Sequence, residues 1–340
     1  MILLNDFFVR YKEAVSNQME LILKSNTGKI ISATRFMNQK ALQVNDRKDN
    51  IYVYSPLVYP IVAVKEIMNN SEDLVHIFEE EPCLWKRILL NSIGNPLYIS
   101  MYRRPDEKYA RHLKKYKNLK RVFVELEKHK EILIQHGVEK EKIFVTPTPS
   151  KIIRKKSEKV FNPQNVNVLF ASWNNKEGDA IVERGLEYLL GLLKENEEFS
   201  LTIPLRDNDT KVFEEKAKNY GVWNRINLLE INNSMDLLTQ LFDNSDFVAF
   251  VPQKRIVKDT PNSLVDGIVR GKPVIISDVI DFSEVVIREK IGYVVKKGDK
   301  PKKLQISIED YKKLSENAYE YSKLHSQNNY ITIIKNEYYK

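Results

Sequence analysis

Asp246-Phe-Val-Ala-Phe-Val-Pro-Gln253, a short loop, then Lys258-Asp-Thr-Pro-Asn-Ser-Leu-Val-Asp-Gly-Ile-Val-Arg-Gly-Lys-Pro-Val-Ile-Ile-Ser277 can be read one physical unit at a time. The first run is apolar, short and rich in β-branched and aromatic residues, as a strand covered on both faces is. Pro261 suits the entry of a helix, and Asn262 and Ser263 are good capping residues. Gly271 stops that helix, and Pro273–Ser277 is a second buried strand. Strand, loop, helix and strand in this order make a parallel β-α-β unit. The first backbone N–H groups of its helix have no partner within the helix and point toward the strand ends, where they suit an anion such as a diphosphate. Asp266 follows one turn further in, where a carboxylate can accept hydrogen bonds from two vicinal hydroxyls, as on a ribose.

The same rhythm runs through the chain in both directions. Upstream, strands are expected at Met1–Leu4, Lys29–Thr34, Asn50–Tyr54, Leu74–Phe78, Pro96–Met101, Arg121–Val124 and Lys142–Val145. In the second half they are expected at Val166–Ala171, Phe199–Pro204, Arg225–Glu230, Asp246–Val251, Pro273–Ser277 and Gly292–Val295. Helical patterns fit at Glu127–Gln135, Ile181–Asn196, Thr210–Tyr220, Met235–Asp243 and Asn262–Arg270. Thr146–Lys159, with its prolines and charges, reads as a linker. The expected fold class is α/β: two Rossmann-like, doubly wound domains facing a cleft. Residues 1–152 form the first domain, 153–318 the second, and 319–340 a C-terminal helix that packs back on the first. Ligands in such sheets bind beyond the carboxyl ends of the strands.

Composition narrows the function classes. With 42% hydrophobic residues the 340-residue chain can bury a core, so it is not a disordered chain. No uncharged apolar run approaches the roughly 18–20 residues of a membrane span, and Met1-Ile-Leu-Leu-Asn-Asp has no cationic lead, so a secretory signal is not visible. One cysteine, Cys83, allows no internal disulfide and no multi-cysteine metal site. The expected compartment is the cytoplasm, with association to the inner membrane surface as a further expectation. The net charge of +8 is concentrated: residues 101–160 hold 18 Lys and Arg against 8 Asp and Glu. That surplus suits an anionic partner. No nucleic-acid motif or base-stacking platform accompanies it, so no nucleic acid is expected.

Residues 246–277 resemble the retaining, GT-B-fold glycosyltransferases of the large group 1 family, whose pattern runs roughly ADvfvlPS…EGFPlvllEAmAcGkPVVas. Arg121-Val-Phe-Val-Glu through Gly137-Val-Glu-Lys-Glu-Lys-Ile-Phe-Val-Thr-Pro147 is similar to the close of that family's N-terminal domain. Arg184-Gly185-Leu-Glu-Tyr-Leu-Leu190 resembles its KGvdlLleA. The resemblance implies a glycosyltransferase that moves a sugar from a nucleotide-diphospho-sugar, a UDP- or GDP-sugar first, to an acceptor hydroxyl with retention at the anomeric carbon. The acceptor would be a glycan, a lipid-linked molecule or a protein, and no separate cofactor is needed. It assigns Pro261, Asn262 and Ser263 to the diphosphate, Asp266 to the ribose, and Arg184 to the leaving phosphate, which a guanidinium can hold bidentately. Where the family carries the first acid of its Glu-x7-Glu pair, this chain has Lys258, which leaves two replacements open: Asp259 as the acid, or Lys258 as a phosphate contact. The lost acid also opens a second reading, a non-catalytic GT-B-like binding or scaffolding subunit.

On the first domain, His76 and Glu79 at the exit of the Leu74–Phe78 strand are candidates facing the cleft, His76 as a catalytic group. Tyr102, Arg103 and Arg104 follow the next strand on the acceptor side. Residues 106–120 place Tyr109, Leu113 and Tyr116 on one stripe flanked by Lys114, Lys115, Lys117 and Lys120. Such a helix either lies on an anionic membrane surface or packs on its own sheet. Asp207-Asn-Asp209 copies a metal-binding D-x-D but reads better as a turn and cap, so no metal is expected.

Overall fold

The computed structural model describes residues 1–6, 14–33, 50–70, 73–79, 88, 90–92, 94–172, 183–205, 210–231, 234–255 and 258–340. The chain divides into two units, Met1–Pro147 with Gln327–Lys340, and Thr148–Ser326.

The first unit is a sheet of seven parallel strands: β1 (Ile2–Asn5), β2 (Lys29–Ala33), β3 (Ile51–Tyr54), β4 (Val75–Glu79), β5 (Leu97–Met101), β6 (Leu119–Val124) and β7 (Ile143–Val145), in the order β3-β2-β1-β4-β5-β6-β7. Helices α1 (Ala14–Ser25), α2 (Tyr59–Asn69), α3 (Glu107–Leu113) and α4 (Glu127–Gln135) belong to it. Side chains alternate between the two faces of each strand. Ile2, Leu4, Val75, Ile77, Leu97 and Ile99 face one core, which α2 and α3 cover through Ala63, Tyr109 and Leu113. Leu3, Phe78, Tyr98 and Phe123 face the other, which takes Val15, Met19 and Ile22 of α1.

The second unit has six parallel strands: β8 (Val166–Leu169), β9 (Phe199–Leu205), β10 (Ile226–Glu230), β11 (Phe247–Phe250), β12 (Val274–Ser277) and β13 (Gly292–Val295), in the order β10-β9-β8-β11-β12-β13. Its helices are α5 (Leu186–Glu195), α6 (Lys211–Asn219), α7 (Met235–Asn244), α8 (Asn262–Ile268), α9 (Phe282–Glu289) and α10 (Ile308–Tyr321). The last helix, α11 (Gln327–Tyr338), belongs to the first unit, where Tyr330, Ile334 and Tyr338, spaced one turn apart, enter the core of α1. Arg121 on β6 anchors it through a 2.9 Å ion pair to Glu337. In both sheets the strand order reverses direction beside the first strand, between β1 and β4 and between β8 and β11. In doubly wound sheets such a point leaves room for a ligand at the strands' carboxyl ends.

Residues 146–159, expected as a linker, are bound down along the second unit from Thr148 onward. The amides of Lys155 and Ser157 donate to the carbonyls of Val269 and Arg270 just past α8. Arg154 donates to Ser322 Oγ and Tyr319 O and lies over the Tyr319 ring. Its prolines and charges mark an extended path, and the polar side chains tie that path to the unit. Among the described residues, no helix is long and apolar enough to cross a membrane.

Candidate functional site

Ser172, three residues beyond the end of β8, and the start of α8 come together at the reversal point of the second sheet. Ser172 Oγ and Ser263 Oγ share a 2.6 Å hydrogen bond. Arg184 Nη1 donates to the Ser172 carbonyl at 3.0 Å, so its guanidinium lies on the other side of the same residue. Gly185 makes that placement possible. It caps α5 in the left-handed region (φ +82), and a Cβ built there would lie 1.8 Å from the carbonyl oxygen of Val251, just past β11. Only a residue without a side chain lets the chain turn into α5 this close to the strand end.

At α8 the amides of Asn262 and Ser263 donate to no group among the described residues, while those of Leu264 and Val265 already return to Pro261 O. Lys258 Nζ donates to Asn262 Oδ1 at 2.7 Å, so a cation stands at the positive end of the helix. A cation and a helix N-terminus repel, and an anion between them relieves both. One turn in, Asp266 is 4% exposed; its Oδ1 accepts from Ser150 Oγ (2.8 Å) and from the amide of Lys151 (3.0 Å). Burial raises this carboxyl above its ordinary range, against the pull of Lys151, the two hydrogen bonds and Lys258. An open pocket of about 480 Å³ runs along α5 past Tyr188 and Gly191 and meets this region only at Gly185 and Gln253.

Several sequence-based expectations are corrected. Asp259 is fully buried, and both its oxygens accept from Arg255 Nη1 at 3.0 Å, with the Asp281 amide on Oδ1. Arg255 also bridges to Asp281. This carboxylate holds the loop before α8 against the start of α9 and is not presented to a ligand, which leaves Lys258 as the residue at the helix mouth. Tyr102 lies in the first unit's core with Tyr98 and Phe123. Tyr109 and Tyr116 are buried in the opposite core, and α3 ends at Leu113, so the aromatic stripe packs on its own sheet, while Lys114, Lys115, Lys117 and Lys120 stay exposed. Arg103 and Arg104 follow β5 and are partly exposed. Glu79 closes β4, and its side chain lies outside the described residues, as do Trp173 and Asn174 and the D-x-D stretch Asp207–Asp209.

His76, expected as a catalytic group facing the cleft, is instead fully buried in the first unit. It sits within β4 rather than after it, and the strand alternation turns it into the core with Phe78 stacked at 4.6 Å. Nε2 shares a 2.8 Å hydrogen bond with Ser100 Oγ, Nδ1 meets the Tyr338 hydroxyl, and burial lowers its pKa to about 3. In the second unit His325 is likewise buried, with its pKa lowered to about 4. A histidine held neutral by burial binds fewer protons than the unfolded chain at every pH between its folded value and about 6.5. Stability is therefore full above about pH 6.5 and falls as the pH drops toward 4, by up to about 1.4 kcal/mol per pH unit for each histidine. Urea denaturation at pH 7 and pH 5 is expected to show this loss, and His76→Phe is expected to flatten the pH dependence of the first unit. An equal slope in the variant would overturn this account of His76.

Sequence reasoning passed over Ser172, Arg255, Ser150 and Lys151. For Ser150 a signal existed: Pro147-Thr-Pro149 fixes an extended approach, and a serine after it can turn the backbone with its own hydroxyl.

The family model described as glycosyl transferases group 1 matches residues 179–326. No curated protein matches the sequence. Among solved structures the chain is similar to HepE of Anabaena in complex with UDP, at 14% identity over 98% of each chain and a TM-score of 0.72. It is also similar to a glycosyltransferase from Rickettsia africae, at 14% identity over 99% of this chain and 97% of that one, TM-score 0.69. WaaG, a glycosyltransferase involved in lipopolysaccharide biosynthesis, is 13% identical over 99% of this chain and 98% of its own, TM-score 0.64. At these identities the structures establish the architecture, two parallel α/β sheets of the GT-B kind, and the family match falls on the unit that holds Arg184, Asn262, Ser263 and Asp266: residues 179–326 are a group 1 glycosyl transferase domain.

Proposed function

We propose that the protein transfers a sugar from a nucleotide-diphospho-sugar to an acceptor hydroxyl with retention at the anomeric carbon. The observation that carries this reading is the start of α8, where two undonated amides, a lysine and the nearby Arg184 surround the carboxyl end of β8 within the family-matched domain. A diphosphate would bring to this arrangement the anion that its amides and cations suit. Asn262 and Ser263 would donate their amides to it, Lys258 would add charge, and Arg184 would neutralise the phosphate that departs as the glycosidic bond breaks. Asp266 would hold the ribose. Attack from the same face as the leaving diphosphate, with a donor oxygen taking the acceptor's proton, asks the enzyme mainly to orient and to stabilise developing charge. A buried His76 is compatible with such a mechanism, which needs no histidine base. The first unit is assigned the acceptor, a glycan or a glycan carried on lipid or protein, with Arg103 and Arg104 as its candidates.

A uridine donor is favoured by the Anabaena protein, solved with UDP and with UDP-glucose. A thermal-shift screen over UDP, GDP, ADP, TDP and CMP derivatives tests this, because a ligand that binds only the folded chain raises its melting temperature. The expected result is a rise of several degrees with UDP or GDP compounds, and no rise with any nucleoside diphosphate would refute it. Lys258 in place of an acid favours a second reading, a binding subunit without turnover. Nucleotide binding with neither donor hydrolysis nor transfer to any acceptor pool would select that reading.

A further inference from the structure

The chain passes between its units after Pro147 and again after Ser326. On the second unit's side of both passages lies one knot of hydrogen bonds. His325 Nδ1 stands 2.7 Å from the Thr148 carbonyl, which can only accept, so the proton is on Nδ1. The Ser150 amide donates to the His325 carbonyl at 2.9 Å. Ser150 Oγ accepts from the Ile152 amide at 3.1 Å, and its own hydrogen has two acceptors in reach, the Ile152 carbonyl at 3.1 Å and, closer and charged, Asp266 Oδ1 at 2.8 Å. The Lys151 amide donates to the same oxygen at 3.0 Å. Among the described residues, the hydrogen bonds to Asp266 thus fall on Oδ1. Among the described residues none donates to Oδ2, and Asp266 as a whole is 4% exposed.

We propose that Ser150 is a positioning residue for donor recognition: with the Lys151 amide it pins one oxygen of Asp266 and presents the other, Oδ2, as the acceptor for a ribose hydroxyl. This rests on the donor reading above. Two bonds on one oxygen fix the rotation of the carboxylate plane. A carboxylate so short of reach has no second way to meet a sugar, because aspartate is one methylene shorter than the glutamate of the family pattern. The hydroxyl of Ser150 also weights Asp266 toward its ionised, accepting form, since a hydrogen bond to the charged form opposes the rise caused by burial. The segment from Thr148 to Lys151 therefore belongs to the donor site, although it touches no phosphate and lies more than a hundred residues before the rest.

Isothermal titration of the full chain with UDP, GDP, their 2′-deoxy and 3′-deoxy forms and inorganic pyrophosphate tests this in the unaltered protein, Ser150→Ala, Ser150→Thr and Asp266→Asn. The unaltered chain is expected to bind the ribonucleotide about tenfold or more tightly than at least one deoxy form, the size of a charge-assisted hydrogen bond. Ser150→Ala is expected to shrink that ratio to about twofold with pyrophosphate affinity unchanged, Ser150→Thr to restore it, and Asp266→Asn to lose it. A ratio that persists in Ser150→Ala overturns the assignment, as does a parallel loss of nucleotide and pyrophosphate, which marks Ser150 as holding only the fold. A ratio lost in Ser150→Ala but kept in Asp266→Asn also overturns it. Binding of neither UDP nor GDP by the unaltered chain removes the donor reading itself, a result distinct from all of these.

Discussion

Arg184→Ala is expected to lower the turnover of sugar transfer by about 10²–10³-fold, the cost of removing one preorganised group that stabilises charge in a transition state. In the ground-state structure Nη1 of this partly exposed side chain donates to the Ser172 carbonyl at 3.0 Å. Such a bond contributes about 1 kcal/mol, so the melting temperature should fall by only about 2–4 °C. The loss should appear in kcat more than in KM, because the diphosphate gains charge as the bond to the sugar breaks and a guanidinium then binds it more strongly than in the ground state. Arg184→Lys should recover part of the rate, since it keeps the charge and gives up bidentate geometry. Release of nucleotide from UDP- and GDP-sugar donors, followed with and without an acceptor, measures it. Unchanged turnover in Arg184→Ala would remove this residue from the site. A fall in stability large enough to explain the rate would make it a structural residue instead.

The sequence made the sheets readable and the side-chain partners unreadable, for one reason. Most of the described strands carry short apolar runs rich in β-branched or aromatic residues, and those runs are local. The strand order needs only the β-α-β rhythm. Which face of a strand is covered is not local. His76 looks like a residue at a strand exit until β4 is seen to run on through Glu79 and Tyr338 of α11 is seen to meet the imidazole. Tyr109 and Tyr116 are ambiguous for the same reason, since an aromatic stripe on a helix serves a core or a membrane surface equally well until its partner element is placed. The linker was read from its prolines, which do fix an extended path, yet Ser150, Arg154 and Ser157 spend that path on hydrogen bonds to residues more than a hundred positions later or close to α7. In the donor region the legible part is backbone chemistry: Gly185, Pro261, Asn262 and Ser263 announce turns and helix starts by type. The choice between Asp259 and Lys258 stays open in the sequence because the partners of Asp259, Arg255 and the Asp281 amide, come from separate loops that meet only in the fold.

The second large effect is on the backbone that carries Arg184. Gly185→Ala is expected to destabilise the protein by about 3–5 kcal/mol and to abolish transfer. Two costs add. A residue with a Cβ in the left-handed region at φ +82 pays about 1–2 kcal/mol. The Cβ would also lie 1.8 Å from Val251 O and 2.3 Å from its carbonyl carbon, both backbone atoms just past β11, and no rotamer change relieves that overlap. The segment must retreat from the strand, and Arg184 retreats with it, away from Ser172 and the start of α8. Gly298 separates the two costs: its φ is also +82, and a Cβ there meets nothing within 4 Å. Gly298→Ala should therefore cost only the conformational share and leave turnover intact. Urea midpoints of the two variants compared with the unaltered chain, together with their transfer rates, decide the matter. Equal destabilisation would reduce Gly185 to an ordinary helix cap. A destabilised but fully active Gly185→Ala would mean that the position of Arg184 does not matter to the chemistry.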